Sequence, residues 1–257
     1  MSVLQPVIAL LQFTTIIPLG QTAPFELFAK RCWLYPCAGY ITGGVAGVVL
    51  FLLPAPPMVS AALGIALVFF ITGCNHLDGL LDLGDGLMVH GSRSDRIRAL
   101  TDRTIGTGGI AMGITVTLLA WSSLSTVPFA WAAIITAEVA GKYTMAIMTI
   151  FGRPFHDGLH ATLHRQTRPW FILPATLLLI PLFVLPIPVF SLLISVILML
   201  GVPVALIYIA SRLFGGVNGD ITGAAGEISR AGVLVVIACT ASLPEISGFF
   251  NNYLISF

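Results

Sequence analysis

The chain has 257 residues, 57% of them apolar and 9% charged, with a formal net charge of +1 and a mean hydropathy of +0.98. Soluble domains carry about a quarter charged residues, so this composition excludes one and points to an all-α, polytopic membrane protein. With no basic run and no acidic tail, nothing argues for nucleic acid, and Cys32, Cys37, Cys74 and Cys239 lack the C-x-x-C spacing of a zinc or redox site.

In chain order, residues 2–18 are charge-free, interrupted by Pro6 and slightly short for a span. No basic residue precedes them, which predicts an uncleaved anchor or half-embedded helix and not a signal peptide. After a polar segment, 38–53 is a second span with Gly39, Gly43 and Gly47 every four residues, the pattern of a helix-packing face. A proline turn leads to a third span over 59–73. The fourth and fifth lie at 110–124 and 129–151, and a polar loop follows, ending at the interfacial Trp170. The sixth and seventh, at 171–185 and 189–210, flank a turn at Pro186 and Pro188. A polar loop over 211–230 precedes an apolar segment from 231, read as an incomplete span. About seven transmembrane helices result, in one domain.

Residues 72–109 hold five of the eleven acidic residues. Asp78, Asp82 and Asp85 stand at i, i+4 and i+7, within about 60° of one another on a helix. Such a face repels itself unless a cation occupies it, and Mg²⁺ is the ion of choice for clustered carboxylates. Arg93, Arg96, Arg98 and Arg103 follow, suited to phosphate oxygens that a metal leaves uncovered. Gly79, Gly84 and Gly86 would let a ligand approach the backbone. The alternative, a solvated loop, need not align its acids.

The second chemical stretch is 213–232, where six glycines frame Asp220 and Glu227. Glycine-rich backbone cradles phosphate oxygens, although it also serves helix packing. Glu138 and Lys142 stand at i and i+4 inside the fifth span, in the order that favours a mutual ion pair. His156, His160 and His164 read as a solvated interfacial face in preference to a metal array.

Eleven of the twelve lysines and arginines fall in 19–36, 75–109, 151–170 and 211–230, and two spans separate each segment from the next. All four therefore share one side, the cytoplasm by the positive-inside rule.

HLDGLLDLGDGL (76–87), then R-x-x-R, DRTIGTGG (102–109) and GGVNGDITGAAGE (215–227) resemble the cobalamin synthase family, the adenosylcobinamide-GDP ribazoletransferases. QFTTIIP (12–18) is similar to that family's N-terminal motif, so the resemblance covers nearly the whole chain. It departs where many members carry Arg in place of Thr104 or Ile16, and Thr in place of Asn218. The resemblance implies a membrane enzyme that joins α-ribazole, or its 5′-phosphate, to adenosylcobinamide-GDP with release of GMP and a need for Mg²⁺. Asp78, Asp82 and Asp85 would hold the metal; His76 and Asp220 join them as catalytic candidates. Asn75, Arg93, Arg96, Arg103, Gly106, Gly216, Asn218, Gly219 and Glu227 would bind substrate, with Glu138 and Lys142 deeper. The lipid bilayer is the other partner, and a homo-oligomer is compatible with the sequence. CDP-alcohol phosphotransferases share clustered aspartates and Mg²⁺, but their D-x-x-D-G-x-x-A-R lacks its Ala-Arg here. A transporter would set its acids midway along broken helices.

Overall fold

The computed structural model describes residues 4–20, 22–241 and 243. Residues 2 and 3, Glu245 and the rest of the C-terminal segment lie outside that range. The described residues are helical: α1 (Gln5–Thr14), α2 (Phe25–Ala29), α3 (Tyr35–Leu52), α4 (Pro57–Ile71), α5 (Asn75–Met88), α6 (Arg93–Leu100), α7 (Thr107–Leu124), α8 (Ala130–Phe151), α9 (Leu159–Gln166), α10 (Ile172–Leu177), α11 (Val189–Leu213) and α12 (Gly219–Ala241). Five of these stretches are long and apolar enough to cross a membrane, and up to seven cross if two bent helix pairs each count as one span. That matches the architecture expected from composition.

The centre is α8. Of its most apolar window 89% is buried, against 28% for both α7 and α11, which therefore face lipid. Ile110, Ile114 and Leu118 on α7, and Leu193, Ile197 and Val204 on α11, are among the apolar side chains left exposed there. The glycine face of α3 packs on α8 as its spacing predicts. A methyl group at Gly39 would stand 2.6 Å from the Val139 Cα, and one at Gly43 would stand 2.9 Å from the Ile135 Cα. With no hydrophobic effect between helices in lipid, such backbone approach is what holds the pair together.

Two expected spans differ. Residues 171–185 do not form a continuous helix but a 3-10 turn, the short α10 and a second 3-10 turn. Pro169, Pro174 and Pro181 each lack the N–H that a longer ladder would need. The glycine-rich 211–230 segment is not a loop beyond Asn218. It begins α12, a full candidate span, and carries Glu227 and Arg230 into the interior. Asn218 starts the helix by accepting the Ile221 N–H at 3.0 Å.

Helix α5 turns 93° from α4 and crosses the N-terminal ends of α7 and α12, so it runs across the end of the bundle and does not continue the direction of α4. Cys74, at the turn, takes a left-handed backbone with φ of 59°. At this same end the polar segments meet. Val217 N–H donates to the Arg153 carbonyl at 2.8 Å, and Ile16 N–H donates to the Ile71 carbonyl at 2.8 Å. Arg93 reaches the Arg212 carbonyl at 3.5 Å. The convergence expected from the two-span spacing is present in the packing.

Candidate active site

The three glycines of α5 are helix-crossing points and not openings for a ligand. A methyl group at Gly79 would fall 2.5 Å from the Asp220 carbonyl oxygen, one at Gly84 would fall 2.7 Å from the Gly108 carbonyl, and Gly86 sits on Phe214 and Leu100. Bare backbone at Gly79 seats the first turn of α12 on α5, and so brings Asp220 beside the turn that carries Asp78 and Asp82. Asp78 is exposed; Asp82, Asp85 and Asp220 are half-buried. Partial burial, then the charges of Asp220, Asp78 and Asp85, push the Asp82 carboxyl up to about 7. This is the self-repulsion that the helical spacing predicts.

Asp85 points elsewhere. It accepts the Gly106 N–H at 2.7 Å and the Gly109 N–H at 2.8 Å, one on each oxygen. These are the cap and first-turn donors of α7, so Asp85 binds α5 to that helix end. Among the described residues no three His, Cys, Asp or Glu side chains form a ready metal cage. An open pair of carboxylates, Asp78 and Asp82, still fits Mg²⁺, which keeps several waters and completes its shell with substrate phosphates.

The arginines divide similarly. Arg96 donates to the Gly86 and Leu87 carbonyls at 3.2 and 2.9 Å, capping the C-terminal end of α5. The Arg93 side chain borders Gly215, at the start of the glycine-rich segment, while Arg103 is exposed. Gly106 caps α7 through Asp85. Gly216 packs against the Arg153 carbonyl, Gly219 is exposed with open space before it, and Asn75 is exposed at the start of α5. Asn218 is buried, and its amide donates to Asp220 Oδ2 at 2.6 Å.

Below this surface lies a buried ionic cluster. Glu138 does not pair with Lys142 as the i, i+4 spacing predicts. Arg230 from α12 takes Glu138 at 3.3 Å and also pairs with Glu227, and Thr42 on α3 donates to the other Glu138 oxygen at 2.6 Å. Lys142 instead lies 3.2 Å from His76 Nδ1. An ammonium can only donate, so Nδ1 accepts and the ring proton sits on Nε2. The ring is thus a neutral donor and a poor proton acceptor. Glu138, Glu227, Lys142 and Arg230 sum to zero charge, as a lipid-embedded interior demands.

Arg230 and Thr42 went unnoticed in the sequence. Arg230 lies just outside the GGVNGDITGAAGE stretch, three residues after Glu227, and that i, i+3 spacing on a helix is the signal the sequence offers. Of the three histidines, His156 is exposed as expected of a solvated face and His164 half-buried, but the third departs from it. His160 is buried, with Nε2 on the Gly152 carbonyl at 2.8 Å and Nδ1 at 3.1 Å from the Thr222 hydroxyl, so it ties α9 to α8 and α12.

Carboxylates on α5, a glycine-seated acid on α12 and a neutralised interior run through nearly the whole chain, and so does a match to known sequences. The profile of cobalamin-5-phosphate synthase (CobS) matches residues 6–238. The chain belongs to that family. A relative from Methanosarcina mazei, named adenosylcobinamide-GDP ribazoletransferase, is 36% identical over 93% of this chain and 93% of its own length. Proteins of the same name from Halorubrum lacusprofundi and Thermococcus onnurineus are each 33% identical, over 87% and 89% of this chain and 93% and 95% of their own. No solved structure matches.

Proposed function

We propose that this chain joins α-ribazole, or its 5′-phosphate, to adenosylcobinamide-GDP and releases GMP, at the crossing of α5 and α12. The observation that carries the reading is the seating of Gly79 on the Asp220 backbone, which sets a third acid beside Asp78 and Asp82. Asp78 and Asp82 would hold Mg²⁺, and Asp85 keeps their helix in register with α7. Bound there, Mg²⁺ would neutralise diphosphate oxygens and ease the departure of GMP. Asp220, held by the Asn218 amide, takes the proton of the ribazole 3′-hydroxyl as that oxygen attacks the phosphorus on the cobinamide side. Arg93 and Arg103 at the exposed edge steady the phosphates, while Glu138, Glu227 and Lys142 act from below, through His76 and the seating of α12. Substrates as large and water-soluble as these reach the site from the cytoplasm, the side to which the positively charged segments are assigned.

Purified protein in detergent, given adenosylcobinamide-GDP, α-ribazole and Mg²⁺, is expected to release GMP in step with corrinoid product. Cytidine diphosphate-alcohol turnover without GMP release would favour the lipid-synthase reading instead.

A further inference from the structure

A cavity of about 390 Å³ opens beside Asp220, between α1, the start of α3, α5, α8, α9 and α12. Its open rim carries Asn75, Leu159, Gly219 and Asp220; its floor is made of the buried Tyr35, Met145 and Leu163. Gln12 and Phe13, from the N-terminal QFTTIIP segment, complete one wall, which gives that motif a place in the site. The volume is at the small end of ligand pockets, about 300–1,000 Å³. A corrin ring with its side chains is several times too large for it, whereas a nucleoside fits.

Two nucleosides exchange places at the reacting phosphorus, the guanosine that leaves as GMP and the incoming α-ribazole, and the lining separates them. The polar groups of the floor are already committed. The Thr149 hydroxyl donates to the Met145 carbonyl at 2.8 Å and that of Thr222 to the Asn218 carbonyl at 2.9 Å. His160 is engaged at both ring nitrogens. Guanine has two edge acceptors, O6 and N7, and a floor whose hydroxyl protons are spent leaves at least one of them without a donor, a cost of about 1–3 kcal/mol. A dimethylbenzimidazole has apolar edges and one acceptor nitrogen. His76 also lines the cavity; with Nδ1 taken by Lys142, its Nε2–H is the donor that one acceptor needs.

We propose that this cavity binds the acceptor nucleoside, with the benzimidazole on Tyr35, Met145 and Leu163 and the ribose at the rim beside Asp220. The assignment rests on the transferase reading for the identity of the nucleoside, and the test separates the two. Binding of α-ribazole and of GDP to the full-length protein in detergent is measured by calorimetry, apart from turnover, for wild type, Leu159→Trp and Leu163→Ala. Leu159 is 62% exposed at the rim, so its replacement leaves the core untouched and covers the mouth. It is expected to weaken α-ribazole at least about tenfold and leave GDP unchanged, the loss of about 1.4 kcal/mol. Leu163→Ala deepens the floor, and the preference for a naphthimidazole riboside over α-ribazole should rise about tenfold or more relative to wild type. Unchanged α-ribazole affinity in Leu159→Trp, or a loss of GDP affinity in its place, overturns the assignment. So does an unchanged base preference in a folded Leu163→Ala protein. A wild-type protein that binds α-ribazole in this pattern yet releases no GMP would sink the transferase reading alone.

Discussion

Arg230 is the residue on which the interior depends, and its removal gives a prediction with a magnitude. The side chain is 3% exposed and pairs with Glu138 and Glu227, and it lays its guanidinium 4.9 Å from the centre of the Phe69 ring. Its Nε is the buried side-chain nitrogen that has no hydrogen-bond partner among the described residues, and the ring adds a cation–π contact to the two ion pairs. In Arg230→Met the cluster changes from two acids and two bases to two acids and one base, leaving a buried negative charge. Breaking a buried pair from one side costs about 3–5 kcal/mol, which for a chain of this size lowers Tm by roughly 10 °C. Adding Glu227→Gln removes the surplus charge, and the double variant should recover at least half of the lost Tm. Thermal unfolding in detergent, followed by intrinsic fluorescence, measures both. An Arg230→Met protein that melts within about 2 °C of wild type, or a double variant no more stable than the single, refutes the charge balance described above.

Asp85→Asn should lower Tm by several degrees, because two charge-assisted contacts to the α7 backbone weaken, about 1.5–3 kcal/mol; an unchanged melting curve would free Asp85 to be a metal ligand. Gly43→Leu must push α3 off α8 and is expected to prevent a stable fold, read as loss of the monodisperse peak in size-exclusion chromatography, whereas Gly44→Leu, with open space before it, should be tolerated. Single cysteines at Ser94, Thr162 and Ser211, all exposed, should react with an impermeant maleimide from the cytoplasmic side, and one at Met58 from the other. Labelling of any of the first three from outside contradicts the shared face.

The acid face of α5 was legible because Asp78 and Asp82, one helical turn apart, share a face in sequence and in space. The α3 face was legible for the same reason, as glycine every four residues has few uses in lipid. Three features were hidden. Residues 219–230 look like a loop because three glycines and two acids score as breakers, yet glycine in a bilayer is a packing residue, and Gly223 and Gly226 lie against the His76 Cα and the Met145 side chain. The partner of Glu138 comes from a helix 92 positions away, which local spacing cannot reveal, so Lys142 stood in for Arg230. Asp85 resembles its neighbours in every local respect; what separates it is the α7 end, where two N–H groups have no intrahelical acceptor.

The central claim is that α5 and α12 furnish one reaction site, and a double-mutant cycle on Asp82 and Asp220 tests it most directly. GMP release is measured for Asp82→Asn, Asp220→Asn and the double variant, across a range of Mg²⁺ concentrations, beside melting curves. Each single change should lower kcat at least about a hundredfold with ordinary Tm, the scale of losing one preorganised charged contact. Groups that act together on one reaction are strongly non-additive, so the double variant should fall within about tenfold of the worse single. Asp82→Asn should also require more Mg²⁺ for half-maximal turnover. Losses that multiply, with an unchanged Mg²⁺ requirement, would place the two aspartates in separate roles and contradict a single site.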